Sequence, residues 1–213
     1  MQKLNSPIFI HIDEQELTDM QFGLRRGHFS KGAVILRSGQ IVDKLGIVVE
    51  GSVNIESLDL SGSKAILSHI GVSQIFAETY AFCREPMMVD ATAAEESEIL
   101  FVNIKALLND HNSDRSWYVK LLKNLLNIAA HKNLTLSNRI FCTAPKTIRG
   151  RLLTYLANLS TKQKSQTLTL PFNRQQLADY LNLDRSALSK ELGKMRDEGL
   201  ISFNKNIIVL LQQ

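Results

Sequence analysis

Two short apolar stripes separated by three residues constrain this chain more than any other feature. Leu177, Ala178 and Leu181 fall on one side of a helix, and Leu188, Leu192 and Met195 on one side of a second. Asn182-Leu183-Asp184 between them is too short for anything but a sharp turn, and Asp184 can cap the second helix. Small Ala178 stands where the two helices must approach closely. After the second helix come Glu198–Phe203, a polar Asn204-Lys205-Asn206 and Ile207–Leu211, which read as strand, turn and strand. The pattern is that of a winged helix-turn-helix, whose second helix enters the DNA major groove.

The polar residues of the motif divide accordingly. Arg185, Ser186, Ser189 and Lys190 lie off the apolar stripe near the start of the second helix. Arg185 and Lys190 suit guanine O6 and N7, and the two serines suit flexible donor or acceptor contacts. Arg174 and Gln175, opening the first helix, and Lys205 on the wing turn suit phosphates. Residues 144–213 hold 11 Lys/Arg against 5 Asp/Glu, a net +6, whereas residues 1–143 hold 14 against 16, a net −2. Basic charge is thus concentrated where phosphate binding requires it.

Upstream the texture is different. Residues 13–24 read as a short amphipathic helix with Leu17, Met20 and Leu24 on one side. From 28 to 104, short β-rich runs recur: 33–36, 45–49, 52–55, 65–67, 74–76 and 98–102. Ser38-Gly39, Glu50-Gly51 and Ser61-Gly62 punctuate them, as in a β-roll or sandwich. From about 114 to 142 the period turns helical. Val119, Leu122, Leu126, Ala129, Asn133, Leu136 and Ile140 are spaced alternately three and four apart, a heptad seam on a helix about 40 Å long. A second stripe, Tyr118, Leu121, Leu125 and Ile128, faces elsewhere, so one stripe can pack on the β-domain while the other meets a partner. Asn133 at an a-type position favours a parallel homodimer. Thr143 is expected to cap a further helix with Pro145 at its first turn, running to about Ser160. Residues 160–167 then form a polar loop, and Leu168–Pro171 a short strand.

The expected architecture is α+β. An antiparallel β-roll of jelly-roll type (1–112) is followed by a dimerisation helix (113–142) and a winged helix-turn-helix domain (143–213). Thr143-Ala144-Pro145 is the hinge. Two cysteines without a CxxC pair exclude a disulfide framework and a four-cysteine cluster from one chain. Cys83 is read as a half-buried small residue. No metal ligands, cofactor or catalytic residues are expected: the roll lacks cupin-type His/Glu spacing, and no P-loop, nucleophile elbow or dinucleotide fingerprint occurs. His11, His28, His69, His111 and His131 are read as surface or hydrogen-bonded residues rather than haem ligands. No apolar run is long enough to span a membrane, and Met1–Asn5 lead into no signal core, so the cytoplasm is the expected compartment.

In this order, the roll, long helix, hinge and winged helix-turn-helix resemble the Crp/Fnr family of transcription regulators. The most specific segments are Leu45–Val53, Ile75-Phe76-Ala77-Glu78, Arg149-Gly150-Arg151-Leu152-Leu153 and Leu170 through Ile201. The resemblance implies a cyclic-nucleotide-type roll, a homodimer on near-palindromic double-stranded DNA, and RNA polymerase as a further partner. In the family's cyclic-AMP receptors a Gly-Glu pair precedes an Arg-Ser/Thr pair whose arginine grips the phosphate. Here Glu78 matches the glutamate, but Ala77 stands for the glycine and Met87-Met88-Val89 for the Arg-Ser/Thr pair, with Asp90 close behind. The expected effector is therefore a small molecule other than a cyclic nucleotide. Its expected pocket is drawn from Phe76, Ala77, Glu78, Met87 and Met88 with Asn133, Leu136 and Ser137. Two alternatives stay open: a regulator that needs no ligand, and a cyclic-nucleotide sensor with an atypical phosphate contact.

Overall fold

A computed structural model describes residues 6–58 and 64–211 of the chain. The expected turn at Ser61-Gly62 and the segment Met1–Asn5 lie outside the described residues. The chain divides into two compact units, Met1–Ala130 and His131–Gln213. Among the described residues no helix is long and apolar enough to cross a membrane.

The N-terminal unit opens with α1 (Glu14–Asp19), set by a capping box in which Asp13 accepts from the Glu16 N–H and Glu16 accepts from the Asp13 N–H. The helix ends earlier than its apolar spacing predicts. Met20–Gly23 tighten into a 3-10 turn, and Leu24 begins strand β1 (Leu24–Phe29). There follow β2 (Val34–Leu36), β3 (Lys44–Glu50), β4 (Val53–Leu58), β5 (Lys64–Ile70) and β6 (Ile75–Phe76). A short α2 (Glu78–Cys83) leads to β7 (Asp90–Ala93), β8 (Ser97–Asn103) and α3 (Ile104–Leu107).

Two four-stranded antiparallel sheets result, in the orders β1-β8-β3-β6 and β2-β7-β4-β5. They share one core that includes Leu45, Ile47, Ile99 and Val102 from the first sheet and Leu36, Val53 and Ala91 from the second. Gly46 is required by this packing, because a Cβ there would lie 2.2 Å from the Phe76 ring. Gly51 turns β3 into β4 at φ +76°, with the Glu96 carbonyl 2.3 Å from where a Cβ would stand.

Helix α4 (Ser116–Thr143) completes the roll and crosses into the second unit. Leu121 and Leu125, with Trp117, are buried in the roll core, and Tyr118 and Ile128 pack against it. This is the stripe expected to face the β-domain. The heptad seam is exposed along its whole length, from Val119 and Leu122 through Leu126, 69% exposed, to Leu136 and Ile140.

In the second unit, α5 (Ile148–Gln163) begins later than expected. Its cap is Thr147, whose hydroxyl accepts from the Gly150 N–H. Thr143 is instead the last residue of α4, its hydroxyl donating to the Arg139 and Ile140 carbonyls. Ser160–Gln163, expected as loop, are the last turn of α5, which stops at Lys164 in the left-handed region. Then come β9 (Thr167–Thr169), α6 (Arg174–Leu181), α7 (Arg185–Asp197), β10 (Ile201–Asn204) and β11 (Ile207–Leu210). The wing has three strands in the order β10-β11-β9. Leu177, Ala178, Leu181, Leu188, Leu192 and Met195 are all buried in one core with Leu152 and Leu156 of α5.

Candidate nucleic-acid interface

The helix pair is held at a sharp turn by three local devices. Asp184 caps α7, accepting from the Ala187 N–H at 2.9 Å and from the Ser186 hydroxyl. These bonds hold its carboxyl below the ordinary range. Asn182 sits in the left-handed region at φ +52°. Carbonyls at the end of α6 also accept from two arginines. Arg151 Nη1 donates to the carbonyls of Leu181 and Asn182, both at 3.0 Å, and its Nε to that of Pro145. Arg139 donates to the carbonyls of Asp179 and Tyr180 and to Asn182 Oδ1. Arg151 falls in one of the segments that carry the family resemblance, but neither arginine was given this role from the sequence. The signal that was available is their place on helices flanking a motif whose first helix ends without basic residues of its own.

With Leu188, Leu192 and Met195 buried beneath α7, Arg185, Ser186, Ser189 and Lys190 are exposed on its first two turns. The four residues proposed as base readers from their spacing are thus brought onto one solvent-facing patch.

Arg174, Gln175 and Lys205 lie apart from that patch. The Arg174 guanidinium lies over Phe203 of β10, its carbon 5.0 Å from the ring centroid. Nη2 reaches the Lys205 carbonyl at 3.5 Å, while Nη1 is buried without a hydrogen-bond partner. Burial lowers the pKa of this guanidinium. Beside it is a hollow of about 520 Å³ lined by Asn173, Arg174, Phe203, Lys205 and Asn206. It contains the capped start of α6, where backbone N–H groups favour an anion. Exposed Gln175 turns away to donate to Asp179 Oδ1.

The residues expected to form an effector pocket differ in burial. Phe76 is buried, and Ala77 opens α2 in the left-handed region at φ +63°. Met87 is 3% exposed and part of the roll core, whereas neighbouring Met88 is 80% exposed. One side chain is in the core and the other in solvent, so the two methionines do not line one pocket. Asp90 accepts from the Ser38 N–H at 2.7 Å. Asn133, Leu136 and Ser137 are exposed on α4. Cys83, expected to be half-buried, is exposed, and it is Cys142 that is buried. An apolar hollow of this unit shares only Glu78 with the expected set. It is a groove of about 500 Å³ between Glu78, Thr79, Phe82 and Cys83 of α2 and Val119, Leu122, Lys123, Leu125, Leu126 and Ala129 of α4. Sequence spacing did not point to it, because α2 was not read as a helix. Among the described residues no cluster of three His, Cys, Asp or Glu side chains could hold a metal ion.

Comparison with known proteins agrees with this architecture. Residues 26–112 match the family model for the cyclic nucleotide-binding domain, and residues 150–212 that for the Crp-like helix-turn-helix domain. The chain is 22% identical over 211 residues to a protein of Mycobacterium tuberculosis described as a CRP-like cAMP-activated global transcriptional regulator, covering 95% of this chain and 91% of that one. Its fold is similar to that of CprK in complex with OCPA (TM-score 0.60, 18% identity, 94% of this chain and 92% of that one). It is also similar to that of CLP, a c-di-GMP responsive global regulator from Xanthomonas campestris (TM-score 0.57, 18% identity, 94% and 100%). With both family models matched in the order in which the roll and the helix-turn-helix are built, the chain belongs to the Crp/Fnr family, whose members are DNA-binding transcription regulators rather than enzymes.

Proposed function

We propose that this regulator works as a homodimer reading a near-palindromic operator, with residues 1–112 sensing, 113–142 dimerising and 143–213 binding DNA. The observation that carries the reading is the exposed quartet on α7. Arg185 and Lys190 reach base edges with Ser186 and Ser189 between them, while Leu188, Leu192 and Met195 anchor the helix from behind. Arg174 and Lys205 take a backbone phosphate in the hollow beside Phe203, where Nη1 of Arg174 awaits an acceptor, and Gln175 takes a neighbouring one. RNA polymerase is the further partner of the DNA-bound dimer.

Dimerisation through α4 is supported by the exposed seam, since a lone protomer would leave Leu126, Leu136 and Ile140 in water. A second copy of α4 on this seam would also fill the groove against α2. A two-fold pair of DNA-reading units then calls for an operator with matching half-sites.

The effector is a small molecule other than a cyclic nucleotide. Support comes from Met87, which is in the core where a phosphate-gripping arginine would have to stand, and from Arg84, which is exposed and ends α2 in the left-handed region. The fold itself is not tied to cyclic AMP, as the complex of CprK with OCPA indicates. The testing experiment is selection of duplexes from a random pool by the full-length protein, followed by footprinting. The expected result is a two-fold symmetric site with half-sites about one helical turn apart. An asymmetric single site, or no enriched site, would overturn the reading.

A further inference from the structure

The apolar stripe that seats α7 is non-directional. Leu188, Leu192 and Met195 hold the helix down, but side-chain packing of this kind tolerates a small turn about the helix axis. Base readout does not. A turn of about 10° carries a head group about 7 Å from the axis through about 1 Å, enough to lose a hydrogen bond. Something directional is needed, and one side chain of α5 provides it. Arg149 Nε donates to Glu191 Oε1 at 2.6 Å. Its Nη1 and Nη2 donate to Glu198 Oε2 and Oε1 at 2.8 and 2.7 Å, a two-pronged pair. Glu191 lies in the middle of α7 and Glu198 caps its end. Seven residues apart, they fall nearly in line along the helix axis. One planar group therefore pins two points on a single line of α7.

We infer that Arg149 is a positioning residue for the reading helix, setting the rotation of α7 and through it the sequence discrimination of the Arg185–Lys190 face. The inference rests on the reading of α7 proposed above. All three of these bonds are charge-assisted, and the hydrogen bonds from Arg149 hold the Glu198 carboxyl below its ordinary range. Lysine cannot replace the fork, because an ammonium offers no planar pair of donors to a carboxylate.

The alternative role for Arg149 is a plain charge that offsets two glutamates near the phosphates, and the two roles separate cleanly. R149Q removes one positive charge, while E191Q with E198Q removes two negative ones and is isosteric with the parent. The full-length variants are measured against the duplex selected by the parent protein and against a scrambled duplex of equal length, at one salt concentration. If the clamp positions α7, the ratio of selected to scrambled affinity falls in both, by about tenfold, the scale of one lost base contact. It falls in R149K as well. A charge role moves both affinities down in R149Q and up in the double variant with the ratio unchanged, and R149K then behaves as the parent; either result overturns the inference. Circular dichroism of the double variant confirms that the comparison is between folded proteins. Failure of the parent itself to prefer its selected duplex would remove the reading on which the inference rests. Preference kept by all three variants would remove the inference alone.

Discussion

Lys120 and Glu16 meet through both carboxylate oxygens: Nζ of Lys120 lies 2.7 Å from Oε1 and 2.7 Å from Oε2, tying α1 to the first turns of α4. Burial alone would raise the Glu16 pKa. The bonds it accepts from Lys120, Ser116 and the Asp13 N–H outweigh that and bring it to about 2. A carboxyl lowered on folding stabilises above its unfolded pKa and ceases to do so as pH falls through the folded value. The roll should therefore lose stability between about pH 4.5 and 2, by about 3 kcal/mol as an upper bound from this group. Glu16→Gln should flatten this part of the curve. Chemical denaturation at several pH values checks it, and an unchanged slope in the variant would count against the latch.

Leu122→Asp with Leu126→Asp should give a monomer. Both positions are exposed in the protomer, at 38% and 69%, so the changes leave its own core intact while burying charges in any seam formed with a second copy. Sedimentation of a folded variant that remains dimeric would place the interface elsewhere.

Arg185→Ala should cost about 1–3 kcal/mol on the selected operator and relax the preference at one base pair of each half-site. Selection repeated with the variant measures both. An unchanged preferred sequence would remove Arg185 from the reading face.

Lys205→Ala should weaken selected and scrambled duplexes alike and reduce the salt slope by about one. Arg174→Ala should do the same and more, because its buried Nη1 is already in place and gains a partner only on binding. Titrations across salt concentrations test both, and loss confined to the selected duplex would make these residues base readers.

Cyclic AMP and cyclic GMP should give no heat in calorimetry at micromolar protein. Low-micromolar binding of either, with a matching change in DNA affinity, would mean that Arg84 or the backbone amides beside Ala77 hold the phosphate.

What could be read from the sequence depended on how local the determinants were. The helix-turn-helix was legible because stripe, three-residue turn and cap all lie within about 25 residues and agree with one another. Strand β1 was not, since Arg25, Arg26 and His28 give it no apolar face and Leu24 continues the helical spacing of Leu17 and Met20 by coincidence. Strand β7, Asp90–Ala93, is short and, Thr92 apart, built of residues with little strand preference of their own; its partners in β4 and β2 decide it. Thr143 and Thr147 are alike as caps on paper. Thr143 is engaged by the end of α4, and only Thr147 finds an N–H three residues on. The Arg149 clamp and the groove at α2 depend on residues more than 30 apart, which no local pattern reports.

Strand β9 precedes the two helices of the motif and β11 follows them, yet they pair from Thr167–Val209 to Thr169–Ile207. The helix-turn-helix is thus closed at its base by a contact spanning some 40 residues. Such a contact forms late, because the intervening chain must first be ordered. On the ribosome the strand that closes the unit is incomplete until Leu210 has emerged. Once closed, the unit should open as a whole, so that amides of α7 and β11 exchange with solvent at a common rate rather than fraying one element at a time.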